Sequence, residues 1–143
     1  MSFVISIDTA RWRAHQDLVR DAISASGAAV VPVAKGNGYG VGNVRLAGES
    51  RRLGADCIAV GTVFEVPAVL TAEPDLDVLV LEPVRPRDEG AAEAWQALEQ
   101  HPGCSRVIHT VASTAAAADL AALATPASPR RVVLEGLTSM RRF

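Results

Sequence analysis

The chain has 143 residues, 49% of them hydrophobic and 21% charged, with a formal net charge of -2. That composition belongs to a folded domain with a real core, and excludes a disordered tail. It also lacks the basic footprint of a nucleic-acid binder, since its arginine pairs 51–52, 130–131 and 141–142 are scattered.

The opening MSFVISIDTARWR has no basic segment leading into a long apolar stretch, and no later apolar run approaches the ~20 residues that span a bilayer. A cytoplasmic protein with no membrane partner is the expectation. Cys57 and Cys104 have neither CxxC nor histidine spacing, so both read as reduced structural thiols, with no metal site.

Along the chain, β-branched runs alternate with alanine- and leucine-rich stretches of helical period, the pattern of parallel βα units. A helix is expected from Thr9 to Ser26, with Asp8 as N-cap, Gly27 as its stop, and Trp12, Val19, Ala22 and Ile23 on one apolar face. The first strand follows at Ala28–Ala34. Asn43 caps a helix to Leu53, and the second strand is Asp56–Gly61. A short helix Glu65–Thr71 leads to a strand at Asp77–Glu82. Helix Asp88–Gln100, strand Ser105–Val111, helix Ala112–Leu123 and strand Arg131–Gly136 complete the series. Most of the strands are near-continuous apolar runs, as expected when helices cover both faces of a sheet. Five such units fit either an open doubly wound sheet or part of a (β/α)8 barrel, and pattern alone does not choose.

The most informative segment is VPVAKGNGYGVG, from Val31 to Gly42. A strand expected to be buried runs directly into Lys35, and glycine then occupies every second position: 36, 38, 40 and 42. The carboxyl end of a parallel strand is where α/β proteins place their sites. Glycines there permit positive φ and close approach to a ligand. A P-loop is excluded because Lys35 precedes the glycines, and the GxGxxG spacing fails because Val41, Asn43 and Arg45 stand where its third glycine is required. Taken alone, a lysine after a strand is ordinarily a solvated loop residue, and a glycine-rich loop a tight turn.

The whole string, however, resembles the cofactor-lysine segment of the alanine racemase family. There a strand ends in a lysine, followed four residues later by tyrosine and then glycine, the places held here by Lys35, Tyr39 and Gly40. The family more often has alanine before the tyrosine and histidine after the glycine, where this chain has Gly38 and Val41. LGADCIAVGTVFEV, from Leu53 to Val66, is similar to the family's second barrel strand. LEGLTSMRRF, from Leu134 to Phe143, is similar to the fifth strand and its loop, with Thr138, Met140 and Arg142 matching.

The resemblance implies a pyridoxal phosphate (PLP) enzyme with a parallel (β/α)8 TIM barrel, of which residues 1–143 correspond to about the first five βα units of a truncated barrel. The implied activity is that of an isomerase of D-amino acid metabolism, interconverting L- and D-alanine or a related amino acid. Lys35 is implied as the catalytic residue that carries the cofactor and moves a proton at the substrate α-carbon. Tyr39 is implied as a ligand of the cofactor phosphate. Arg142 is implied as a fixed cation reaching both the cofactor's phenolic oxygen and the substrate carboxylate. Glu135 stands where many members have a carbamylated lysine, and is expected to supply the same negative charge beside the arginine.

The full-length form is implied to be a homodimer in which the partner supplies the second base. The 143-residue chain alone is therefore expected to be without racemase activity and to associate through an unpaired strand edge. His15, His101 and His109 lie outside the matched motifs and read as surface or packing residues. A PLP-binding barrel without turnover, a PLP-dependent decarboxylase or aldolase of the same fold, and a small doubly wound binding domain are the competing readings.

Overall fold

The computed structural model describes residues 4, 6–85 and 88–136. Its centre is a four-stranded parallel sheet in the order β1-β2-β3-β4. The strands are β1 (Cys57–Val60), β2 (Asp77–Pro83), β3 (Val107–Val111) and β4 (Arg131–Leu134), each within the run expected for it apart from Pro83 at the end of β2. Ile58 faces Val78 in the register, Leu79 faces Ile108, and His109 faces Val132. The order never reverses, whereas a doubly wound sheet needs a switch point.

The helices are α1 (Thr9–Ser24), the short turn α2 (Lys35–Tyr39), α3 (Asn43–Arg52), α4 (Val66–Ala72), α5 (Glu89–Glu99) and α6 (Thr114–Leu123). Local chemistry sets several of their ends. Asp8, Asp88 and Ser113 each accept a backbone N–H of the first turn, and Gly27 lies just beyond α1 at φ +76°. Arg106 closes α4 from afar, its guanidinium donating to the carbonyls of Leu70, Glu73 and Leu76.

The core lies against one face of the sheet. Ile58, Val60, Val78, Val80 and Val107 pack with Val63, Val66, Val69, Leu70, Leu76 and Leu98, all buried. On the opposite face the small Ala59 and Thr110 are buried, but the large Leu79, Leu81 and Ile108 are only half-buried. This corrects the expectation of cover on both faces: parallel strands in sequence order, joined by crossovers of one hand, gather their helices on one side.

The expected first strand is also corrected. Of Ala28–Ala34 only Val33 forms a bridge, parallel to Ala59; the Ala34 N–H donates to the Ala59 carbonyl at 2.8 Å, and the Ala59 N–H to the Pro32 carbonyl at 2.8 Å. Pro32 has no N–H to extend a ladder, and Val31 and Val33 stand 45% and 54% exposed at the sheet edge.

Helix α1 departs from expectation too, because none of its residues is buried and the face of Trp12, Val19, Ala22 and Ile23 forms no core. A polar seam holds α1 to α3 instead. Arg13 and Arg52 both bind the buried Glu49 carboxylate, and Arg52 also donates to Asp17 at 2.8 Å and Gln16 at 2.9 Å. Hydrogen bonds from Arg13 lead the effects that hold the Glu49 carboxyl below its ordinary value, against its burial.

Candidate functional site

Lys35 lies two residues after the Val33 bridge, so it stands at the carboxyl rim of the sheet beside the loop that leaves β1. Its backbone begins an unusual turn. Gly36, Asn37, Gly38 and Tyr39 have φ of +62°, +52°, +59° and +53°, a run of left-handed residues, two of which carry side chains. Each non-glycine residue held there costs energy, on the order of 1–3 kcal/mol, so the surroundings must enforce the conformation. At Gly38 glycine is required on steric grounds as well, since an added Cβ would lie 2.2 Å from Leu46 Cδ1.

A single carboxylate does much of that enforcing. Glu65 Oε1 accepts the Asn37 N–H at 2.8 Å and the Asn43 side-chain amide at 3.3 Å. Its Oε2 accepts the N–H groups of Gly61 at 2.7 Å and Thr62 at 3.1 Å. Burial pushes the Glu65 carboxyl up, but the hydrogen bonds from Asn37, Thr62, Asn43 and Gly61 outweigh it and hold the group below its ordinary value. Asn43 is thus not the cap expected of it. Gly42 holds that position, and Asn43 lies inside α3 with its N–H donating to Asn37 Oδ1 at 3.1 Å. At Gly61 a Cβ would come within 2.8 Å of Glu65 Oε2 and 3.1 Å of Lys35 Cβ, so the glycine is what lets lysine, carboxylate and β1 loop meet.

Lys35, Gly36, Tyr39, Gly61, Thr62 and Glu65 line one open hollow of about 550 Å³. That lies within the ~300–1,000 Å³ of small-molecule sites. Lys35 is exposed and Tyr39 is 82% exposed, so both side-chain ends are available to a ligand. The exposure corrects the picture of a lysine at the end of a buried strand: the strand preceding it is an open edge.

Arg142, with Thr138 and Met140, lies outside the described residues. Glu135 is half-buried just after β4; its N–H donates to the Val111 carbonyl at 2.9 Å, and among the described residues its Oε2 has no hydrogen-bond partner.

Sequence reasoning missed Glu65, Asn43 and Gly61 as parts of this site. The one available signal was Thr62-x-x-Glu65, a capping-box spacing that accounts for the bond from the Thr62 N–H to Oε2 and says nothing of Asn37. The histidines behave as packing and surface groups. His15 is exposed, His101 accepts the Gly103 N–H at 3.0 Å, and His109 is buried with its ring 4.8 Å from that of Trp95. Both cysteines are free. Among the described residues no cluster of histidine, cysteine and carboxylate side chains could hold a metal, and no helix is long and apolar enough to cross a membrane.

Comparison with curated proteins gives no match. The family model described as alanine racemase, N-terminal domain, matches residues 7–143, which include the lysine turn, the whole sheet and its helices, and the chain therefore belongs to that family.

Proposed function

We propose that this chain is the cofactor-lysine portion of a PLP-dependent amino-acid racemase, with Lys35 as the attachment point and alanine or a related small amino acid as substrate. The observation that carries the reading is the hollow at the sheet's carboxyl rim, which an exposed lysine and an exposed tyrosine line together with Gly36 and Gly61, where no side chain intrudes. The family typically binds PLP, and the residues present suit it: a primary amine for the aldehyde, and a hydroxyl donor for the phosphate.

When bound, the cofactor supplies an electron sink that makes the substrate α-proton labile. The chain's own residues do the rest. Lys35, once displaced by the substrate amine, takes or returns a proton at the α-carbon from one side. Tyr39 orients the phosphate through its hydroxyl. Arg142 provides a planar cationic fork for the substrate carboxylate, with Glu135 as the negative charge beside it.

The sheet is read as part of a TIM barrel. Its two edges, at Val31 and Val33 on one side and at Val132 and Leu134 of β4 on the other, are exposed apolar strand surface of the kind that further strands cover. The working form is read as a homodimer in the cytoplasm, with the partner subunit supplying the second base.

The test is to add PLP, reduce with borohydride and map the pyridoxyl adduct by peptide mass. An adduct on Lys35, the only lysine in these 143 residues, is the expected result. An adduct on a lysine elsewhere in a longer chain, or none, overturns the assignment. Proton exchange at the substrate α-carbon without inversion would favour a reaction other than racemisation.

A further inference from the structure

We propose that Glu65 is the positioning residue for Lys35: its carboxylate locks the left-handed turn that follows the lysine onto the β1 loop, and so fixes where the amine and the Tyr39 hydroxyl stand. The inference rests on the reading of Lys35 as the cofactor lysine. It adds a role for a residue of the same hollow that acts through the turn and the β1 loop.

The strain lies in the turn itself. Five consecutive positive-φ residues, 36 to 40, are not a resting state of an L-amino-acid chain, and Asn37 and Tyr39 pay a steric cost that glycine does not. Bonds from outside must hold them. Glu65, 28 residues away from Asn37, supplies the shortest of these at 2.8 Å, and its second oxygen is fixed to Gly61 and Thr62. One carboxylate therefore bridges the backbone two residues after Lys35 to the backbone just after β1. The missing Cβ of Gly61 lets Lys35 lie against that bridge.

The Asn43 amide steadies Oε1 from the side. Four donors converge on two oxygens, an arrangement that suits an ionised carboxylate and no neutral group of the same shape. The cap alone needs only Oε2, so the contacts of Oε1 are left over from any account that makes Glu65 a helix cap.

That division makes the test local. Glu65→Gln retains an acceptor for Gly61 and Thr62, as glutamine does at the same place in a capping box, but turns an NH2 group toward the donors of Asn37 and Asn43. In the full chain, three measurements are made on wild type and E65Q: thermal unfolding, amide hydrogen exchange across residues 36–40, and the visible circular dichroism of the lysine-bound cofactor band with added PLP.

We expect little change in unfolding, exchange faster by about tenfold or more at 36–40, and a cofactor band with altered dichroism and about tenfold weaker apparent affinity. Should E65Q fail to fold, Asn43→Ala leaves the capping carboxylate in place and must move exchange and dichroism in the same direction by less. A wild-type protein with a normal lysine-bound band, whose E65Q form matches it in exchange and dichroism, overturns the positioning role alone. A wild type with no such band overturns the cofactor reading and this inference with it.

Discussion

Behind the sheet, Ile58, Val60, Val66, Val69, Leu76 and Val78 are wholly removed from solvent, whereas at the rim Lys35 and Tyr39 stand in the open. The two regions are only a few residues apart in space, joined where Ala34 bonds to Ala59. They are built by different forces. The packed face is held by apolar burial, which is non-directional and tolerates small adjustments. The rim is held by directional bonds to one carboxylate, in a backbone conformation that nothing apolar would select. Stability and chemistry should therefore respond to different substitutions.

The largest expected effect breaks the rim and spares the core. Lys35→Ala should abolish borohydride-trapped cofactor and any turnover while changing unfolding stability by no more than ~0.5 kcal/mol, as for an exposed side chain. Loss of stability comparable to a core substitution would show that the rim is not separable from the scaffold. The converse change is Ile58→Ala. At 0% exposure in the main cluster, it should cost ~2–5 kcal/mol in urea unfolding. Its Lys35 should still accept PLP under conditions where the variant remains folded.

His109 sharpens the contrast within the sheet itself. Burial, followed by the nearby Arg130, lowers its imidazole to about 4 from the ordinary 6.5. Between those values the unfolded chain holds the proton more readily than the folded one, so stability rises with pH. It is lost as pH falls through 6.5, by up to roughly 3 kcal/mol near pH 4. Urea unfolding of wild type against His109→Leu at pH 7, 5.5 and 4.5 should show that difference. Parallel curves would mean that the ring finds a proton-accepting partner when charged.

The smallest effect concerns β4, whose four residues are all exposed. The Arg131 guanidinium meets the Asp77 carboxylate with two bonds of 2.5 and 2.6 Å, tying β4 to the start of β2. The pair is partly solvated, so Arg131→Ala should cost only ~0.2–1 kcal/mol. Its signature is faster amide exchange in β4, with β1 and β2 unchanged.

Much of this scaffold was legible because it is set locally. Asp8 caps α1 as expected, through a bond three residues long, the helices at Asp88 and Ala112 were placed to within two residues of their starts, and the apolar runs of β1 to β3 read directly as strands. The candidate site was legible only in part. Lys35 and Tyr39 stood out through the motif that contains them, but Glu65 reads as an ordinary residue at the start of a helix until Asn37 is brought to it. Asn43 shows the same limit from the other side: an asparagine before a helical run reads as a cap, yet its amide is spent on Glu65 while Gly42 takes the capping place.

The sequence by itself determined the alternation of strands and helices, the lysine at a strand end, the glycines that permit the turn after it, and the family to which the chain belongs. These depend on composition, period and spacing within a dozen residues or so. Only the tertiary structure decided that the first strand reduces to one bridge, because that depends on which neighbour Pro32 leaves unsatisfied and on what lies beyond the edge. It likewise decided that α1 is tied down by Arg13, Arg52 and Glu49 and not by an apolar face, and that Arg106 closes α4. It brought one carboxylate to the turn after Lys35. Each of these rests on contacts between groups some 26 to 36 residues apart, and a pairing of that range follows from how the layers pack and not from any local preference of the chain.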